Sequence, residues 1–306
     1  MLPADVLRQV RRLHLRARRV VQTLLGGEYH SAFKGAGLSF EEVREYQPGD
    51  DVRTIDWNVT ARTGQPFIKR FVEERELTMI LAVDVSGSQR FGTGQLSKRA
   101  VAAELAALLA LCAVSNNDRV GLIAFTDSIE RFVPPNKGPR HVLRLLRDIL
   151  AFEPQRLGTD LSVALDYLNK VQRRRAIVFL VSDFLSGPPN DLTSATPTFR
   201  DAFRRAARKH DLIAVRTSDP REREWPAVGL VRVEDAETGQ QAVIDTSSRA
   251  FREGFAARNR DRMAAFTRIA RGAQADLIEA GTDGTHFDAL LAFFRKRDRR
   301  RRGGHG

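Results

Sequence analysis

From residue 77 to residue 295 the chain alternates short, continuous apolar runs with longer stretches whose apolar residues recur at helical spacing. The runs at 77–84, 119–126, 175–183, 212–217 and 275–280 are rich in Ile, Val, Leu and Ala and stop at polar residues or turn formers. Uninterrupted runs of this length describe strands buried on both faces, the condition of a parallel sheet. Between them, residues 95–116, 139–152, 159–172, 199–210, 248–271 and 285–295 carry helical patterns, the second opening on Pro139. Residues 129–133 read as a short edge strand, and 230–234 with 241–245 flank Glu237-Thr-Gly-Gln as a hairpin. Strands alternating with helices at this spacing predict an α/β fold with a doubly wound, mostly parallel sheet.

The N-terminal quarter has another texture. Residues 1–25 place Val6, Val10, Leu13, Val20 and Leu24 among arginines, which fits an amphipathic helix ended by Gly26-Gly27. Residues 28–75 carry turn signals at Gly37 and Pro48-Gly49, with short strands expected at 52–57 and 67–72. Three segments follow: an N-terminal helix and short-strand extension over 1–75, the α/β domain over 76–295, and a basic, disordered tail over 296–306.

Composition narrows the class. A hydrophobic share of 42% and a charged share of 29% belong to an ordinary globular chain. The longest apolar stretch, 101–114, is interrupted by Glu104 and too short to span a bilayer. The Arg-rich start lacks the apolar core of a leader peptide. A single cysteine, Cys112, lies among Ala and Leu, so it reads as a core residue and no internal disulfide is possible. A cytoplasmic location is the resulting expectation. The net charge of +12 raises the question of nucleic acid, but residues 1–22 and 295–302 supply +11 of it. The body is therefore close to neutral. The body gives no reason to expect nucleic-acid binding, and the basic ends permit peripheral contact with an acidic partner, a membrane surface or RNA.

Three strand-end positions carry chemistry. The first is Asp84-Val-Ser86-Gly-Ser88, the second Gly158-Thr159-Asp160, the third Val181-Ser182-Asp183. In an open α/β sheet, loops at the carboxyl ends of neighbouring strands converge on one crevice. Carboxylates and hydroxyls are hard oxygen ligands that suit Mg2+ or Mn2+ better than zinc or copper. Taken singly, each residue has a plainer reading: Ser86, Ser88 and Asp183 as turn formers, Thr159 as a helix N-cap.

Taken together, Asp84, Ser86, Ser88, Thr159 and Asp183 resemble, in order, the metal-ion-dependent adhesion site of von Willebrand factor A-type domains. The resemblance implies that Ser86, Ser88 and Thr159 coordinate the ion directly and that Asp84 and Asp183 hold it largely through water. It also implies a coordination position left open for a partner's carboxylate. Upstream, Glu42-Val-Arg-Glu-Tyr-Gln-Pro-Gly-Asp-Asp-Val-Arg-Thr-Ile-Asp-Trp57, Thr60-Ala-Arg62 and Phe71-Val-Glu-Glu-Arg75 resemble the hallmark of bacterial domain-of-unknown-function family fifty-eight. Membership would imply association with MoxR-type AAA+ ATPases, which remodel or activate other proteins. Arg44, Asp50, Asp51, Arg53, Asp56 and Arg62 of the hallmark read either as structural ion pairs and turn formers or as a partner surface. Trp57 reads as the anchor of a small core.

Enzyme classes fare less well. A haloacid-dehalogenase-type phosphatase needs a second acid two residues after its aspartate, and Ser86 stands there. No Gly-x-Ser-x-Gly elbow or phosphate-binding Gly-x4-Gly-Lys-Ser/Thr loop occurs, so no nucleotide is expected. His30, His141, His210 and His286 lack partners at ligand or triad spacing and read as surface or core residues. The leading expectation is a non-enzymatic, metal-dependent protein-binding adaptor. A metal-dependent phosphoester hydrolase and a peripheral nucleic-acid or membrane binder are the alternatives.

Overall fold

The computed structural model describes residues 32–33, 38–73, 76–185 and 199–303. The amphipathic helix expected over 1–25 and the Glu74-Arg75 end of the hallmark lie outside them. The chain divides into two compact units, one spanning Phe33–Leu77 and the other containing everything from Thr78 onward.

In the smaller unit, β1 (Leu38–Glu45) pairs antiparallel with β2 (Phe67–Glu73), with a bulge between Phe40 and Glu42. The strand expected at 52–57 is instead a 3-10 turn (Val52–Thr54) leading into α1 (Trp57–Thr63). Two aspartates cause the difference: Asp51 accepts from the Arg53 amide, and Asp56 accepts from the amides of Asn58 and Val59. Each satisfies orphan amides at a helix start, which a strand could not use. Trp57 is 70% exposed and anchors no core. Of the hallmark charges, Arg44 and Asp50 form a two-pronged ion pair at 2.9 and 2.7 Å that closes the Pro48-Gly49 turn.

The larger unit is built on a six-stranded sheet of order β10-β7-β6-β3-β4-β5. Its strands are β3 (Thr78–Asp84), β4 (Arg119–Phe125), β5 (Ile129–Asn136), β6 (Ile177–Ser182), β7 (Asp211–Ser218) and β10 (Asp276–Gly281). All pairings are parallel except β4–β5. The expected doubly wound α/β fold is therefore the observed one. β5 runs three residues further than expected, through Pro134-Pro135, which an edge strand tolerates because one side needs no donors.

The intervening helices are α2 (Lys98–Ser115), α3 (Pro139–Ala151), α4 (Leu161–Val171), α5 (Arg200–Lys209), the short α6 (Pro220–Arg223), α7 (Arg249–Gly272) and α8 (His286–Gly303). One sheet face, with Ile80, Ala82, Val178, Leu180, Leu212 and Ala214, packs on Leu165, Leu168, Phe203 and Phe266 of α4, α5 and α7. α2 is buried nearly all round, as its Ala/Leu composition requires, and contacts β3, β4, β7, α3 and α8. Cys112 is fully buried there, and burial pushes its thiol up to about 12. Between β7 and α7, β8 (Leu230–Glu234) and β9 (Gln241–Asp245) form a two-stranded hairpin that no third strand joins among the described residues.

The tail expected to be disordered from 296 is helical to Gly303. Arginine and lysine are good helix formers. Arg297 pairs with Asp211 and Asp276, and Arg300 with Asp276 at 3.0 Å, so the basic run is tied to the starts of β7 and β10. No helix among the described residues is long and apolar enough to cross a membrane.

His210 caps this packing with a pH liability. It is 1% exposed, and its Nδ1 accepts the Ala176 amide at 3.3 Å, which requires a neutral ring. Burial, then the charges of Lys209 and Arg175, push its pKa down to about 4 from an ordinary 6.5. A depressed pKa gives stability that is complete above pH 6.5 and lost as pH falls toward 4. Between pH 7 and pH 4, urea unfolding of the wild type is expected to lose about 2–3 kcal/mol more than that of His210→Gln. Parallel losses in the two proteins would show that His210 does not titrate this way.

Candidate metal centre

β3 and β6 are neighbours although β4 and β5 intervene in sequence, so the sheet reverses direction between them. Such a switch point splays the two following loops apart and opens a crevice at the strands' carboxyl ends. In register, Val83 lies level with Val181, so Asp84 and Ser182 end their strands side by side and Asp183 follows immediately.

The buried side chains there form one network. Asp84 accepts the Ser86 amide on Oδ1 at 2.9 Å and the Ser182 hydroxyl on Oδ2 at 2.7 Å. Ser86 and Ser88 Oγ lie 3.1 Å apart, and Ser88 donates to Asp183 Oδ2 at 2.8 Å across 95 residues of sequence. Asp183 Oδ1 takes the Leu185 amide at 3.1 Å. Ser86 makes no capping bond to the 3-10 turn at Gly87–Arg90, so turn formation does not account for its hydroxyl. Four of the five residues singled out in the sequence are thus brought together.

Thr159 joins differently. The N-cap of α4 is Asp160, which accepts from Ser162, so Thr159 is not the cap. Its hydroxyl donates to Glu237 Oε1 at 2.7 Å, on the turn of the β8–β9 hairpin. The loop carrying Thr159 is held against the first one by the Gly87 amide, which donates to the Leu157 carbonyl at 2.9 Å.

Three further charged groups were not foreseen. Lys98, 1% exposed at the first turn of α2, donates to the same Asp183 Oδ2 at 2.7 Å and also to Glu222 of α6. Two carboxylates, Asp183 and Glu222, thus share this ammonium, and Glu237 feels its charge from further off. Burial, then the nearby Asp183 charge, raises Asp84 well above the ordinary carboxylate range. Burial would raise Asp183 too, but Lys98 outweighs it and holds that carboxyl low. For Lys98 itself, burial disfavours the charge, yet Asp183 and Glu222 prevail and raise it. Burial raises both Glu222 and Glu237. A signal for Glu222 was available: Thr217-Ser218-Asp219 ends β7 as Val181-Ser182-Asp183 ends β6, and Pro220 opens the helix that carries it. Asp219 itself is buried and spent on Thr93, Thr282 and the Arg221 amide.

Comparison with known proteins gives a family and a set of relatives. Residues 42–265 match the family described as protein of unknown function DUF58. Uncharacterised proteins of Mycobacterium tuberculosis (Rv1480) and Mycobacterium bovis (Mb1516) are each 34% identical over 300 residues, covering 97% of this chain and 91% of theirs. Similar solved structures include the conserved hypothetical protein BatB from Bacteroides thetaiotaomicron, at 17% identity and TM-score 0.45, covering 73% of this chain and 99% of that one. The VWA domain of SpRpn10 is another, at 12% identity and TM-score 0.35, covering 70% and 93%.

Proposed function

We propose that this chain, which belongs to the DUF58 family, is a protein-binding module whose strand-end site holds Mg2+ or Mn2+ and offers it to a carboxylate of a partner. The observation that carries the reading is the Ser88–Asp183 hydrogen bond, which joins the ends of β3 and β6 into one oxygen-lined site with Ser86 and Asp84.

The donor set fits the ion. Both oxygens of Asp84 and both of Asp183 already accept protein donors, so a cation would share each carboxylate with those partners. Ser86, Ser88 and Thr159 hydroxyls keep lone pairs for it, while Asp84 and Asp183 supply charge at one remove. Neutral direct ligands leave a bound ion electrophilic, and what it contributes is an attraction for one more anion. In the unloaded chain Lys98 supplies part of the missing positive charge. Ser86 stands two residues after Asp84, where a haloacid-dehalogenase-type phosphatase needs its second acid, which favours capture over hydrolysis. The resemblance to family members associated with MoxR-type AAA+ ATPases makes such an ATPase, or its client, the partner class in this reading.

The test is a titration. Calorimetry with Mn2+ is expected to find one ion per wild-type chain and none for Asp84→Ala, with matching circular dichroism. A wild-type chain that takes up no Mn2+ or Mg2+ at millimolar concentration would sink the metal reading.

A further inference from the structure

The hairpin turn brings a carboxylate of the chain itself to this site. Glu237 lies at the tip between β8 and β9, and its Oε1 accepts the Thr159 hydroxyl at 2.7 Å. The turn is tightly built: Asp235 Oδ1 takes the amides of Glu237 and Thr238 at 2.9 and 2.8 Å, and the Gly239 amide donates to the Asp235 carbonyl at 2.8 Å. Gly239 sits at φ +71°, a left-handed conformation that glycine adopts without penalty. The turn also lies directly over the Asp-x-Ser-x-Ser loop. A Cβ on Gly87, between Ser86 and Ser88, would stand 2.0 Å from the Ala236 carbonyl oxygen. Glycine at 87 is what lets the turn approach this closely.

Beyond this contact the hairpin is lightly held. It is two-stranded, and Leu230 and Val243 on it are 75% and 65% exposed. An isolated two-stranded ribbon is marginally stable in water.

We propose that Glu237 is an internal occupant of the metal site, presented by the hairpin where a partner's carboxylate would bind, so that a partner must displace the hairpin to engage. The proposal rests on the metal reading above and deepens it. Glu237 feels the repulsion of Asp183, a placement that a cation between the two would turn to attraction. Carboxylates compete for an open position on an ion, so a tethered one at high effective concentration suppresses weak external ones.

The alternative role for Glu237 is to orient the Thr159 hydroxyl, and the two roles predict opposite signs. The probes are Mn2+ and acetate, read by water-proton relaxation of the bound ion in the full chain. As an occupant, Glu237 excludes water, so Glu237→Ala gains about one fast-exchanging water per Mn2+. Acetate then quenches that gain, at concentrations that leave the wild type unchanged. Glu237→Gln, which keeps an acceptor for Thr159 but not the charge, behaves like Glu237→Ala. As a mere orienting group, Glu237→Ala weakens Mn2+ binding about tenfold with no added water, and Glu237→Gln restores it. That second pattern, or identical relaxation and acetate response in all three proteins, overturns the occupant proposal and leaves the metal site standing. Wild type and variants that all fail to bind Mn2+ while folded overturn both.

Discussion

Replacing Lys98 with methionine is expected to lower stability by about 3–5 kcal/mol in chelator at neutral pH. The magnitude follows from what is left behind. Lys98 is 1% exposed, and its ammonium is shared by Asp183 at 2.7 Å and by Glu222, with side-chain exposures of 2% and 19%. A buried ion pair adds little net stability over a well-packed apolar pair, because the attraction only offsets the desolvation of both groups. Removing one partner is different, since the attraction disappears while the carboxylates remain out of water. Methionine nearly conserves the volume, so a cavity does not confuse the result. Mg2+ supplies the discriminating arm. An ion bound at one hundred times its dissociation constant returns about 2.7 kcal/mol. The variant should therefore recover much of its loss in magnesium, and recover more than the wild type gains. Urea unfolding of both proteins with and without Mg2+ measures this. A variant as stable as the wild type in chelator would mean that Asp183 and Glu222 carry no uncompensated charge.

Lys98 also shows where sequence reading stopped. The apolar runs Met79–Val83 and Ile177–Val181 announce strands because burial on both faces removes the need for polar residues, and this holds whatever packs on them. Asp84 and Asp183 stand out as polar residues closing such runs, and Ser86, Ser88 and Thr159 add a spacing. Lys98 has no such contrast. It follows the N-cap Ser97 like any first-turn lysine, and its partners lie 85 and 124 residues away. Glu237 likewise satisfies the local grammar of a hairpin turn, and only the docking of that turn over Gly87 gives it a second meaning. Trp57 and the basic C-terminal run depart from what their sequence suggests for a related reason. Residue type alone makes an aromatic ring a core anchor and a row of arginines a solvated tail, whereas Asp56 as an N-cap and the ion pairs to Asp211 and Asp276 decide their structure.

Packing at a distance also shapes the site, through the residue after Asp183. Phe184 has φ +56°, in the left-handed region, which costs a non-glycine residue about 1–2 kcal/mol. The turn sends Asp183 into the site and the Phe184 ring into the core, where it stacks on Phe266 with centroids 4.0 Å apart. Phe266, from α7, also meets Phe199 and Phe203 at 6.3 and 6.1 Å. Phe266→Ala is therefore expected to cost about 3–5 kcal/mol through lost burial and the cavity left among three rings. Part of that loss belongs to the Phe184 stack, worth about 0.5–1.5 kcal/mol. In a Phe184→Gly background, which removes both the strain and the ring, Phe266→Ala should cost less by roughly that amount. Urea unfolding of the wild type, the two single variants and the double variant closes this cycle. The same proteins titrated with Mn2+ tie the core to the site. If the stack holds the Asp183 turn, Phe266→Ala weakens Mn2+ binding although the residue touches no proposed ligand. If stability falls and Mn2+ affinity does not, the Leu185 amide and the Lys98 and Ser88 bonds orient Asp183 without help from the aromatic cluster.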